Sequence, residues 1–318
     1  MKSGRKRLPP RKARLRALAK INLDLRVLGQ RPDGYHELRT IFQTISLADT
    51  IEMAYTPSRR TSVELVSNID IADNLVTRAA RLALDAMRTA GLVEVRLIKR
   101  IPMGAGLGGG SSDAAAVLLA LPVLVGRPIE TARLCQLAQQ LGSDVPFFLL
   151  GGAAAGIGRG TELFPLPDGA PKTGLLVAPG IHVSTVDAYR RLSPRLTSES
   201  EQNKIFSFQS QVWGRGDSQA AENDFETVVF EQHRRLAALK RKLLQGGAET
   251  AMMTGSGSAV FGLFPTSEQA RRALESLGKE EVFRISLVSR ARYRSIWHRA
   301  LEEHITGSIW PLQSRYAR

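Results

Sequence analysis

The clearest two-residue period in the chain lies at residues 93–98, where Val95 and Leu97 alternate with Glu94 and Arg96. Alternation of this kind marks a strand with one face buried. Just before it, Leu75, Ala79, Leu82 and Met87 recur at helical spacing through residues 75–90. That spacing predicts a helix capped by Asp73 and ended by Gly91. Small residues dominate 111–121, the next predicted helix, and 129–141 reads as another, opened after Pro128 and closed by Gly142. In the second half, Phe225, Val228, Leu236, Leu239 and Leu243 predict one long amphipathic helix over 225–244, stopped by Gly246 and Gly247. Thr266 and Gln269 have capping-box spacing for a helix that runs to Leu277. Residues 252–264 read as a hairpin, and the polar stretch 193–222 reads as loop.

Helices and strands are thus mixed without a strict strand–helix–strand order, which predicts an α+β fold. Five glycines in residues 151–160, with Pro165 and Pro167 soon after, suggest a domain boundary. The expected division is 18–165 and 166–318, preceded by a disordered basic extension over 1–17; a chain of 318 residues suits about two domains. One cysteine, Cys135, excludes an internal disulfide and a zinc cluster and fits a reducing cytoplasm. No apolar run reaches the length of a membrane span. The net charge is +14, and eight of the positive residues fall within residues 1–16, which hold no acid. The rest of the chain is only mildly basic, as suits an anionic ligand.

The strongest chemical signal is PMGAGLGGGSSDAA, residues 102–115. Glycines let backbone N–H groups approach a ligand closely, and the helix start that follows adds free donors and the positive end of a dipole. Such a loop cradles phosphate. It contains G-x-G-x-x-G (Gly104, Gly106, Gly109), but Glu130, the acid at dinucleotide spacing, follows Pro128 at a helix start. No lysine follows the last glycine either, so the loop is neither a dinucleotide fingerprint nor a P-loop. Asp113 suits a first helical turn as well as it suits a ligand.

With AKINLDLRVLGQRPDGYHEL (residues 19–38) and TGSGSAVFGLF (residues 254–264), this loop resembles the GHMP kinase superfamily. LGSDVPFFL (141–149), VSTVDAY (183–189) and NDFE (223–226) resemble its branch that phosphorylates a cytidine-diphosphate-linked methylerythritol in non-mevalonate isoprenoid synthesis. The resemblance covers about residues 18–290 and implies a two-lobed fold with its site in the cleft between lobes. It implies ATP as phosphoryl donor, with Mg²⁺, and a 2-hydroxyl as acceptor. Phosphate contacts would come from Pro102, Met103, Gly104, Ala105, Gly106, Leu107, Gly108, Gly109, Gly110, Ser111 and Ser112, with Ser112 also a metal contact.

By the same resemblance Asp144 matches the catalytic base and Lys20 the group that steadies developing charge; Asn22, two positions on, would share Lys20's strand face and contact substrate. Tyr35 and His36, after the Asp33-Gly34 turn, would stack on and hydrogen-bond a cytosine, with Tyr189 as a second stacking face and Thr185 near the diphosphate. Arg159 is a further candidate for a phosphate. On residue pattern alone, Asp144 also reads as a helix cap and Asn223 and Asp224 as N-caps. Expected partners are one small cytidine-diphosphate-linked molecule, no nucleic acid and no membrane, for a monomer or weak homodimer. The alternatives are a mevalonate- or homoserine-type kinase of the same superfamily, and a basic RNA-binding protein.

Overall fold

The computed structural model describes residues 9–196, 198–213 and 221–316. Two long strands open it, β1 (Arg11–Gln30) and β2 (His36–Pro57), paired antiparallel from Arg11 opposite Tyr55 to Gln30 opposite His36. β3 (Ser62–Ser67), helix α1 (Leu75–Ala86), β4 (Gly91–Ile98) and helix α2 (Gly109–Val125) follow. Helices α3 (Thr131–Leu141) and α4 (Val145–Leu150) and strands β5 (Ala153–Gly158) and β6 (Glu162–Pro165) complete the first half. The sheet order is β3-β4-β2-β5-β6, with β1 on β2.

A second sheet, β10-β7-β9-β8, is built from β7 (Thr173–Val177), β8 (Thr250–Met253), β9 (Val260–Phe264) and β10 (Val282–Ser286). Helices α5 (Thr185–Leu192), α6 (Ser198–Trp213), α7 (Glu226–Gln232), α8 (Arg234–Gln245), α9 (Ser267–Ser276) and α10 (Arg290–Leu301) complete it. The first sheet ends at Pro165 and the second starts at Thr173; we propose the link between them as the domain boundary.

The cores do not follow that boundary strictly. Leu15, Ala17 and Leu18 of β1 pack in the first core, while Leu25 and Val27 of the same strand pack in the second, against α7 and α8. Between them Ala19 and Ile21 join Leu176 and Phe261 in a third cluster. The hairpin therefore runs through both lobes. In the other direction, Tyr293, Trp297 and Leu301 of α10 return to the first core.

Several expectations need correction. Residues 11–17 are strand, not a disordered extension: Ala13, Leu15 and Ala17 are buried between the exposed Lys12, Arg14 and Arg16, an alternation hidden by the charge run. Arg11 donates to the Leu124 and Val125 carbonyls at 2.9 and 3.0 Å. Residues 1–8 of that extension lie outside the described residues. Asn74, not Asp73, caps α1, its side chain accepting from Val76 N, and Gly91 opens β4 instead of ending the helix. The helix breaks off at Met87 because Arg88 is left-handed, with φ of 49°. α2 continues beyond Leu121, and the polar stretch after 193 holds α6. The long helix is two, α7 and α8, separated at His233, whose ψ of 71° is not helical. The hairpin at 252–264 and the Thr266 cap, accepting from Gln269 N at 3.2 Å, are as expected.

Candidate active site

The glycine loop leaves β4 and runs into α2, and three of its glycines need their special freedom. Gly104, Gly106 and Gly108 have φ of 65°, 78° and 67°, the left-handed region. A Cβ on Gly106 would lie 2.1 Å from the Thr254 carbonyl, and one on Gly108 would lie 2.9 Å from the Phe148 ring. The loop is held on both sides: Lys20 N donates to Leu107 O at 3.0 Å, and Ala259 N donates to Ala105 O at 3.2 Å. Ser112 N closes the first helical bond on Gly108 O at 2.9 Å, so the amides ahead of it have no intrahelical partner. Pro102, Met103, Gly104, Ala105, Gly106, Leu107, Gly108, Gly109, Gly110 and Ser111 line a pocket of about 360 Å³, with Asn74 and Leu75 opposite.

Ser112 does not face that pocket. It is 1 % exposed and its hydroxyl donates to Leu18 O at 2.7 Å, so the expected metal contact is corrected: one turn into α2, position 112 looks at β1. Asp113 is not a solvated helix-start acid either. Burial pushes its carboxyl up to about 8, against the pull of Lys99, whose ammonium lies 2.7 Å away.

Lys20 and Asp144 meet across the mouth of the loop. Lys20 is buried in β1 between two register shifts, and its Nζ lies 3.5 Å from Asp144 Oδ2. Asp144 occupies the N-cap position of α4, yet its side chain makes no capping bond. The helix-cap reading therefore does not use the carboxylate, which stays part-exposed beside the ammonium. Lys20 Nζ also donates to Asn22 Oδ1 at 2.8 Å and sits 5.3 Å from the Phe42 ring centre. Asn22 is 1 % exposed: its Nδ2 donates one hydrogen to Thr40 Oγ1 at 2.7 Å, its N donates to Thr254 Oγ1 at 3.0 Å, and its Oδ1 accepts from Gly255 N at 3.0 Å. It lines the cleft beside Lys20 and also joins Lys20 to the turn at 254–255.

On the far side of the cleft Tyr35 is 56 % exposed, with the Arg159 guanidinium 3.8 Å above its ring and paired to Asp33 at 2.7 Å. Arg159, a candidate for phosphate, thus stands on the aromatic side of the site. His36 stacks on Tyr189, centroids 4.3 Å apart and planes 23° apart, and Tyr189 rests edge-on against Phe225. Ser193 Oγ donates to Tyr189 O at 2.8 Å, so it accepts from His36 Nε2, also at 2.8 Å. That fixes the hydrogen on Nε2 and leaves Nδ1 an acceptor. Burial lowers the His36 pKa, which favours this neutral form. Thr185 Oγ1 lies 2.7 Å from Ser256 Oγ and links α5 to the 254–258 turn across the cleft.

One cleft of about 1490 Å³ holds Lys20, Asn22, Tyr35, His36, Asp144, Thr185 and Tyr189 together with Gly104, Gly106 and Gly108. Sequence reasoning missed three contributors. Thr40 relays Asn22 to Asp24 O, donating at 2.7 Å. Asn223 donates to Met253 O and Gly255 O, each at 2.8 Å, beyond any capping role. His182 Nδ1 faces Gly104, 3.8 Å from where a Cβ would sit. None belongs to a local pattern; each acts through a partner distant in the chain.

Residues 74–152 match the family of GHMP kinases N terminal domain, and residues 209–282 match GHMP kinases C terminal. A 4-diphosphocytidyl-2-C-methyl-D-erythritol kinase of Solibacter usitatus is 66 % identical over 310 residues, covering 96 % of this chain and 98 % of that one. The enzyme of the same name from Pelotomaculum thermopropionicum is 42 % identical, covering 80 % of this chain and 90 % of that one. A crystal structure of 4-(cytidine 5'-diphospho)-2C-methyl-D-erythritol kinase superposes with a TM-score of 0.72 at 37 % identity, over 86 % of this chain and 98 % of that chain. A homoserine kinase from Cytophaga hutchinsonii shares the fold at 18 % identity, TM-score 0.66, over 88 % of this chain and 96 % of that chain.

Proposed function

Because the chain belongs to the GHMP kinases, and among them to the 4-diphosphocytidyl-2-C-methyl-D-erythritol kinases, we propose that it transfers the γ-phosphoryl group of ATP to the 2-hydroxyl of 4-diphosphocytidyl-2-C-methyl-D-erythritol. The observation that carries this reading is the Lys20–Asp144 pair at the mouth of the glycine loop. The Asp144 carboxylate takes the hydroxyl proton while the oxygen attacks the γ-phosphorus. The bond from that phosphorus to the β,γ-bridging oxygen breaks, and ADP leaves with the electron pair. The Lys20 ammonium, held by Asn22, steadies the charge that develops on the transferred group.

The loop fits a nucleotide's phosphates: left-handed glycines, close backbone approach and a helix start of 17 residues point donors into one pocket. Among the described residues no three or more of His, Cys, Asp and Glu gather into a metal cage. Mg²⁺ carried on the nucleotide would neutralise the phosphate charge in the transfer, with the loop backbone holding the phosphates. The cytosine would stack on the exposed Tyr35 ring in the cleft that Tyr189 also lines, with His36 Nδ1 accepting from its exocyclic amine. Among the described residues no helix is long and apolar enough to cross a membrane, which suits a small-molecule kinase of the cytoplasm.

The test is ADP release from ATP and Mg²⁺ with the cytidylyl substrate, mevalonate and homoserine in parallel. Release with the cytidylyl substrate alone is expected; release with either of the others alone would return Tyr35 and His36 to structural roles.

A further inference from the structure

Beneath the glycine loop lies a buried ion cluster that the chemistry above does not use. Lys99, one residue beyond β4, points its ammonium between two carboxylates, Asp49 of β2 and Asp113 of α2. All three residues are buried. Asp49 Oδ1 accepts from the backbone N–H groups of Arg100 and Ile101, at 2.5 and 2.8 Å. The acid of β2 thus holds the entry of the loop, the acid of α2 belongs to its exit, and one ammonium joins them. That ammonium also lies directly under the first residue of α2: a Cβ on Gly109 would be 3.2 Å from Lys99 Nζ. Lys99 and Asp113 both reach the surface of the loop pocket.

Burying an ammonium between two carboxyl groups carries a desolvation cost that well-packed apolar side chains of similar volume would avoid. The loop explains what the cluster adds. Glycines permit the left-handed turns at 104, 106 and 108 but bring no side chains to hold them, so the two ends must be fixed.

We propose that Lys99 is a positioning residue for the phosphoryl donor: clamped between Asp49 and Asp113, it fixes both ends of the glycine loop. The inference rests on the loop being the nucleotide-phosphate cradle. Its test is steady-state kinetics with both substrates, calorimetry with ADP and thermal melts on the wild type, Lys99→Met and Lys99→Met/Asp113→Ala. The double variant keeps Asp49 on its two backbone donors and guards against loss of the fold. KM for ATP and Kd for ADP are expected to rise about tenfold or more, the scale of a lost charge-assisted contact, while KM for the cytidylyl substrate stays within about twofold. Wild-type affinity for ATP and ADP in a folded double variant would overturn the proposal, as would an equal rise in both KM values. No ADP binding by the wild type would remove the cradle itself, and the proposal with it.

Discussion

A serine beside a glycine loop looks free for a ligand, yet Ser112 gives its proton to the Leu18 carbonyl and is closed to the pocket. Ser112→Ala should lower stability by about 1 kcal/mol, the worth of one hydrogen bond, and leave the Mg²⁺ requirement unchanged. A steep rise in the Mg²⁺ needed for half-maximal activity would restore it as a metal contact. Tyr35→Ala should raise KM for the cytidylyl substrate while KM for ATP holds; an equal rise in both would remove Tyr35 from the base pocket. Asp24 offers a pH signature. It is fully buried, and burial pushes its carboxyl up to about 6 against the pull of Arg26. The native state then keeps a proton that the unfolded chain gives up near pH 4, so Asp24 makes stability fall as pH rises from 4 to 6. Denaturant melts should show that fall in the wild type relative to Asp24→Asn, and parallel profiles would contradict it. Residue identity makes the loop glycines readable, because few other residue types take left-handed turns, while Lys20 and Asp144 stand out only through the family resemblance. It misjudged Ser112, whose hydroxyl is used up by a partner that only folding brings near.

Elements were readable where one face meets solvent. β4 and α9 carry plain amphipathic patterns and form where the patterns say. α2 is apolar on every side, so periodicity could not mark its end, and it runs to Val125 before left-handed Gly126 stops it. The break at His233 leaves no trace in the pattern, because the apolar spacing continues through it from Val228 to Leu236. The basic alternation of residues 11–17 was obscured for the opposite reason: charge count outweighed period. The loop itself yields a sharp expectation. Gly106→Ala sets a Cβ into the Thr254 carbonyl at a φ of 78°, so the loop must shift, the melting temperature should fall and KM for ATP should rise. An unaltered KM for ATP would mean that the loop's close approach to the 254–258 turn does not matter for the donor.

At the scale of the molecule, the β1–β2 hairpin threads both lobes, and Lys20 and Asn22 lie at the level where the lobes meet. Asn22, Asn223 and Thr254 tie the hairpin to the turn of the second lobe, and the glycine loop leans on the same turn. The donor side and the acceptor side of the cleft are thus registered against one shared strand pair. A two-lobed architecture follows from the chain's motifs, but this sharing does not, since it depends on contacts more than 200 residues apart. The central claim is that this register delivers a γ-phosphoryl group to an alcohol oxygen beside Asp144. Phosphorus NMR of a reaction with ATP and the cytidylyl substrate tests it most directly, run on the wild type and on Asp144→Asn. The wild type should place a new phosphomonoester on the tertiary hydroxyl, and Asp144→Asn should form it about 10²–10⁴-fold more slowly while still binding ADP. A phosphomonoester formed at the wild-type rate by the variant would contradict the account.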